Sequence, residues 1–153
     1  MENPVENAAL ILGPGEGTSL TARGSVLVFK ALAETTGGAF SLMERVLPPG
    51  GRPPPRHRHP GCTEAFYLLD GTLDFDLDDD RVSVAGGGFV LVPGGVAHSF
   101  VNRSQASARV LILHSPALDG YFRELHELWL ATSPTVEQEQ DLMRRHGLLP
   151  VPE

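Results

Sequence analysis

The stretch GRPPPRHRHPGCTEAFYLLDG, residues 51–71, carries most of the information in this 153-residue chain. Three consecutive prolines hold its start extended, so His57 and His59, two residues apart, present both imidazoles on the same side. Glu64 follows five residues later, and in one continuous strand this odd offset would place it on the opposite face. The turn residues Pro60-Gly61 interrupt the strand, so Glu64 can point to the same side as the two histidines.

A second stretch, GGFVLVPGGVAHSFVN, covers residues 87–102. His98 comes directly after the turn Pro93-Gly94-Gly95 and opens a strand whose inward positions would be His98, Phe100 and Asn102. Together the two stretches bring three imidazoles and one carboxylate toward one point. This donor set suits a single divalent transition metal, either Fe, Mn, Ni, Cu or Zn, and leaves room on an octahedral ion for water or substrate.

The order and spacing of these residues resemble the two motifs of the cupin superfamily. The ten positions that the motifs specify are all present: Gly51, His57, His59, Glu64, Gly71, Gly87, Pro93, Gly95, His98 and Asn102. The flanking sequence is similar to small single-domain bacterial cupins of the quercetin dioxygenase type. The resemblance implies a conical double-stranded β-helix barrel, commonly a homodimer, with a metal held by His57, His59, Glu64 and His98.

The rest of the sequence is typical of an all-β barrel followed by helices. Seventeen glycines and thirteen prolines punctuate short apolar runs, which indicates frequent turns. Apolar residues three or four apart between Leu118 and Trp129 predict one helix, and a second begins near Ser133-Pro134 or Thr135 and ends at Gly147. We expect one cupin domain over residues 1–153, with a jelly-roll barrel at about 21–115 and two short C-terminal α-helices at about 118–147. The predicted strands are 25–32, 40–47, 64–69, 72–77, 81–85, 88–92, 98–102 and 109–114.

Composition limits the partners and the location. The net charge is −7 and the 12 Lys and Arg residues are scattered, which disfavours nucleic acid. No run approaches the roughly 18 apolar residues that cross a bilayer, and the start, Met1-Glu2-Asn3-Pro4, lacks the features of a signal peptide. We therefore expect a cytoplasmic protein with a small-molecule substrate and no nucleic-acid or membrane partner. The apolar run at 8–12 could add an edge strand to this sheet or to that of a partner subunit.

The pocket around the metal is expected to be mostly apolar and to suit a flat or hydrophobic organic molecule. The candidate lining residues, which core packing explains equally well, are Phe40, Leu42, Phe66, Phe75 and Phe100. Three arginines flank the first ligand pair and either hold an anionic substrate at the pocket mouth or are solvated loop residues; they are Arg52, Arg56 and Arg58.

Several other residues receive no role. His114, His126 and His146 lack partners at ligand spacing, and the last two are expected to be solvated. Tyr67 has the opposite parity to Glu64 and should point away from the metal, while Tyr121 belongs to the helix stripe. The single cysteine, Cys62, is either a small buried loop thiol or a thiol aimed at the metal.

Two classes of function remain open at this point. The first is a metal-dependent dioxygenase acting on a small aromatic or enolisable substrate, in which Glu64 leaves the metal or receives a substrate proton. An isomerase or lyase would need a separate acid–base group, and no inward tyrosine or unpaired inward histidine is predicted. The second class is a non-catalytic binding or sensing protein.

Overall fold

A computed structural model describes residues 9–152 of the chain. The strands are β1 Thr18–Ala22, β2 Ser25–Ala31, β3 Ser41–Leu47, β4 His57–Arg58, β5 Thr63–Asp70, β6 Thr72–Leu77, β7 Asp80–Ala85, β8 Phe89–Val92, β9 His98–Val101, β10 Ala108–Ser115 and β11 Leu149–Pro150. The helices are α1 Ala33–Thr36, α2 Asp119–Ala131 and α3 Val136–Arg145.

The strands form two antiparallel sheets that face each other. One sheet has the order β1-β2-β3-β10-β5-β8, and the other has the order β11-β4-β9-β6-β7. Their inward side chains meet in one core, where Phe66 of β5 lies with its ring centroid 5.0 Å from that of Phe75 and 5.3 Å from that of Phe100. The all-β jelly-roll barrel expected from the sequence is confirmed.

The eight predicted strands agree with β2, β3 and β5 to β10 to within one residue at each end. The short elements β1, β4, β11 and α1 were not predicted. Residues 9–12 form no strand, and residue 8 lies outside the described residues. The strand at one edge of the six-stranded sheet is instead β1. Arg23 and Gly24, with φ angles of 51° and 75°, make the tight turn that pairs β1 with β2.

The two C-terminal helices pack on the outside of the barrel. The backbone N–H of Thr21 donates to Nδ1 of His126 at 3.1 Å and so ties α2 to β1. Thr135 and Gln138 form the predicted capping box of α3, and Gly147 adopts the left-handed conformation beyond the helix end. His126 and His146, which were expected to be solvated, are half-buried, and His146 contacts the carboxylate of Glu124. Among the described residues, no helix is long and apolar enough to cross a membrane.

Candidate metal centre

Three chain segments bring the predicted ligands together inside the barrel. His57 of β4 lies directly opposite His98 of β9 in the strand register. Gly61, at a φ of 74°, turns the chain after His59, and the N–H of Cys62 donates to the His59 carbonyl at 3.0 Å. This turn resets the alternation of the chain, so the next inward side chain is that of Glu64. The four side chains are all buried.

The ligand atoms of these residues converge. Nε2 of His57 lies 2.9 Å from Nε2 of His59, and Nε2 of His98 lies 2.6 Å from Oε1 of Glu64. Nε2 of His59 is 3.7 Å from the same carboxylate oxygen. The three imidazoles therefore lie close enough to one another to contact a single ion, and the Glu64 carboxylate lies beside two of them.

The donor set and its unmet hydrogen bonds fit a metal. Oε1 of Glu64 and Nε2 of His98 are buried without a well-aligned hydrogen bond, although they are close neighbours. Buried polar atoms in proteins almost always have a partner, so such atoms aimed at one point suggest an ion. The three histidines form one group of possible ligands, and Glu64 joins a second group that shares His59. The cluster could therefore hold a transition metal.

Backbone carbonyls orient two of the imidazoles. Nδ1 of His57 donates to the Pro55 carbonyl at 2.6 Å, and Nδ1 of His98 donates to the Val96 carbonyl at 3.0 Å. Because the proton then sits on Nδ1, each ring keeps the lone pair of Nε2 for a metal.

The protonation states also suit metal binding. Burial and the neighbouring His98 and His59 hold the pKa of His57 well below its usual value, and burial lowers the pKa of His59 to about 4. Although burial opposes ionisation of Glu64, contact with His114 and His98 holds its pKa well below the usual range. Although burial opposes protonation of His98, its contact with Glu64 raises its pKa, so a proton on His98 must be lost when a metal binds. His57, His59 and Glu64 are already in the forms that bind a metal without losing a proton.

A fourth buried histidine, His114, lies beside this cluster and was not assigned a role from the sequence. It sits opposite Glu64 in the pairing of β10 with β5, and its Nε2 is 2.5 Å from Oε2 of Glu64. The signal that could have found it is the alternation of β10, where Val110, Ile112 and His114 share one face and all are buried. Motif spacing alone does not reveal it, since it lies outside both motifs.

The cavity next to the cluster differs from the predicted apolar pocket. Of the five predicted lining residues only Phe100 lines it. Phe66 and Phe75 are core residues packed behind Phe100. Phe40 and Leu42 are only half-buried, because the buried positions of β3 are Ser41, Met43, Arg45 and Leu47.

The cavity is narrow and carries charge in its wall. The volume open to the centre of a water-sized molecule is about 20 Å³, which is room for about one water. Arg23, Arg45 and Tyr121 line it together with apolar residues such as Met43 and Ile112. Tyr121 lies on the buried face of α2 as expected, and its hydroxyl also accepts a hydrogen bond from Arg23 at 3.2 Å.

The three arginines that flank the first ligand pair are half-buried and do not line the cavity. Each donates to a backbone carbonyl and so fixes a loop. Arg52 bonds the Pro134 carbonyl, Arg56 that of Asp78 and Arg58 that of Gly95. Tyr67 points outward as expected and is 46% exposed.

Cys62 is half-buried, and its thiol donates to the Pro116 carbonyl at 3.7 Å. It belongs to neither group of possible metal ligands found among the described residues.

Comparisons with known proteins agree with this architecture. The sequence profile described as "Cupin domain" matches residues 43–114. Quercetin 2,3-dioxygenase from Bacillus subtilis is 30% identical over 109 residues, which cover 70% of this chain and 32% of that protein. The chain thus spans about a third of the length of this relative.

Solved structures give the same picture. A sugar phosphate isomerase of the cupin superfamily from Silicibacter pomeroyi has a TM-score of 0.53 at 25% identity, covering 65% of this chain and 68% of that one. KdgF from Halomonas sp. has a TM-score of 0.64 at 16% identity, covering 74% and 98%. A two-sheet antiparallel barrel with a buried cluster of histidines and a glutamate defines a cupin with a candidate metal site. Residues 43–114 form a cupin domain, and the described fold is that of solved cupin structures.

Proposed function

We propose that this protein is a metal-dependent dioxygenase that acts on a small aromatic or enolisable organic substrate. The observation that carries the proposal is the convergence of His57, His59, His98 and Glu64 on one point beside a narrow internal cavity. The similarity to quercetin 2,3-dioxygenase over 70% of the chain supports the reaction class. Because the cavity has room for about one water, its lining side chains must move to admit any organic substrate, and a small substrate requires less movement than a flavonol.

The chain supplies three functions around such an ion. When bound, the ion provides Lewis acidity toward a substrate enolate or hydroxyl oxygen, and a redox-active ion also exchanges electrons with O2. The three imidazoles fix its position. Glu64 would accept a proton from the substrate hydroxyl, and His114, whose Nε2 lies 2.5 Å from the same carboxylate, holds Glu64 in place. The apolar side chains of Met43 and Ile112 exclude water from the reacting atoms.

A metal-dependent isomerase or lyase is the second candidate, and a specific observation favours it. The sequence offered no acid–base group besides Glu64, whereas the structure has His114 in contact with Glu64 and Tyr121 in the cavity wall. Either residue can serve as the additional acid or base that such a reaction needs. The solved isomerase at 25% identity is consistent with this candidate.

The two candidates differ in their need for O2 and for a redox-active ion. Metal-free protein is reconstituted separately with Fe, Mn, Ni, Cu and Zn, and O2 uptake is followed with a flavonol and with small enolisable acids and ketones. O2 uptake that depends on the protein and on a redox-active ion supports the dioxygenase. Substrate conversion without O2 uptake, also with Zn, supports the isomerase or lyase. Metal binding without conversion of any substrate contradicts both and favours a binding protein.

A further inference from the structure

Two arginines, Arg23 and Arg45, and two glutamates, Glu64 and Glu139, are buried in and behind the cavity wall. Arg23 pairs with Glu139, with Nε lying 3.1 and 3.2 Å from the two carboxylate oxygens. Glu139 also accepts a hydrogen bond from Nε1 of Trp129 at 2.7 Å. The charge of Arg23 is therefore matched by the carboxylate of Glu139, which makes no ion pair with Arg45.

Arg45 is the arginine without such a partner. Its side chain is 2% exposed, and its Nε donates to the hydroxyl of Ser25 at 2.9 Å. In the part of the chain that the structure describes, no carboxylate lies within ion-pair distance of its guanidinium. Its guanidinium carbon lies 5.5 Å from the centre of the Phe100 ring, and the residue lines the same cavity as Glu64 and His57.

The net charge of the buried side chains and a bound metal ion around the cavity favours the binding of an anion. The two arginines and two glutamates cancel, so a divalent ion in the proposed site leaves two positive charges in a buried space. Buried charges are normally paired, since they are costly to remove from water. Burial and the nearby Arg23 lower the pKa of Arg45 to about 9 although Glu64 and Glu139 favour its charged form, so the group is charged at neutral pH and has no carboxylate in direct contact.

We propose that Arg45 binds the carboxylate of the substrate, which makes the ligand of this cavity a small organic acid. Because the cavity has room for about one water as it stands, the side chains that line it must move apart to admit such an acid. The planar guanidinium keeps donors free for a two-point contact with a carboxylate, and the reactive end of the same molecule then faces the histidine–glutamate cluster. This inference rests on the proposed function for the place of the reacting atoms, but the binding of a carboxylate by Arg45 requires no turnover.

The test compares carboxylates with amides of the same shape in Zn-loaded protein. Isothermal titration is carried out with acetate against acetamide and with pyruvate against its amide, using the wild-type protein, Arg45→Met and Arg45→Lys. The matched control is Arg109→Met, which removes a half-exposed arginine that pairs with Glu44 outside the cavity. We expect the wild type and Arg109→Met to prefer the acids, and Arg45→Met to bind them about 10- to 100-fold more weakly, the range for a hydrogen bond to a charged group. Arg45→Lys keeps the charge but loses the two-point contact, so its affinity falls in between.

Other outcomes overturn the inference. Equal binding of acids and amides by the wild type contradicts it even if Arg45→Met does not fold. Unchanged acid binding by folded Arg45→Met means that the carboxylate contacts the metal alone. A thermal scan without ligand distinguishes a ligand-binding role of Arg45 from a structural one. If Arg45 binds ligand, the Tm of Arg45→Met is unchanged or higher than that of the wild type. If Arg45 is structural, the Tm falls. Carboxylate binding by a protein that converts no substrate supports Arg45 and contradicts only the proposed function.

Discussion

Glu64 combines two tasks at the centre of the site, because it faces both His98 and His114. The variant Glu64→Gln keeps the shape of the side chain but removes its charge and its ability to accept a proton. We expect turnover to fall by about 100-fold or more, as is typical for loss of general acid–base catalysis, while metal occupancy falls much less. Steady-state rates and metal content measured on the same sample check this, and equal retention of both excludes Glu64 as the base.

His114 provides a second test at the scale of single residues. His114 holds the carboxylate of the proposed metal ligand Glu64 in place. The variant His114→Ala should therefore lower metal affinity or turnover by about 10- to 100-fold, the usual effect of losing a residue that orients a metal ligand. The loss of metal affinity should be smaller than that caused by His98→Ala. A competition titration with a chromophoric chelator ranks the two variants, and a larger loss for His114→Ala would make His114 itself a ligand.

The sequence predicted the residues that lie in motifs but not the polar residues around them. The spacing of His57, His59, Glu64 and His98 is informative because four donor groups in register rarely arise without a shared partner. His114 and Arg45 have no partner at motif spacing in their strands. Their direction depends on which face of each strand is inward, and this is decided by the packing of the two sheets rather than by either residue.

At the scale of elements, β3 shows why the prediction of an apolar pocket lining was wrong. One face carries Leu42, Glu44 and Val46, and the other carries Met43, Arg45 and Leu47. Each face has two apolar residues and one charge, so alternation alone gives no preference between them. The structure buries the face with Arg45, and this turns an expected hydrophobic wall into a charged one.

The helix α3 links the exterior to the cavity, because its Glu139 pairs with Arg23. Its N-terminus depends on Thr135, whose hydroxyl accepts from the N–H of Gln138 at 3.1 Å. Thr135→Ala should lower the free energy of unfolding by about 1 kcal/mol, whereas Thr135→Ser keeps the hydroxyl and should stay close to the wild type. Urea unfolding followed by circular dichroism measures both, and equal stability of the two variants would show that the capping box does not contribute.

At the scale of the whole molecule, the homodimer expected from the sequence remains a prediction. The strand β8 forms one edge of the six-stranded sheet, and its Phe89 and Leu91 are 60% and 56% exposed. An edge strand with exposed apolar side chains favours association with a second copy. We expect light scattering to give a dimer for the wild type and a shift toward monomer for Leu91→Lys, with Val136→Lys, an exposed helix position, as the control. A monomeric wild type would contradict the prediction.

The central claim is that His57, His59, Glu64 and His98 hold one divalent ion inside the barrel. The most direct measurement is the metal content of untagged wild-type protein and of His98→Ala, after removal of all metal and titration with Zn or Ni. The account predicts about one ion per wild-type chain and an affinity more than about tenfold weaker in His98→Ala, since even loss of a supporting residue costs that much. The circular dichroism spectrum should be unchanged, because the core packing of the barrel does not depend on His98. A wild type that binds no metal, or a His98→Ala variant that binds it equally well, would contradict the account.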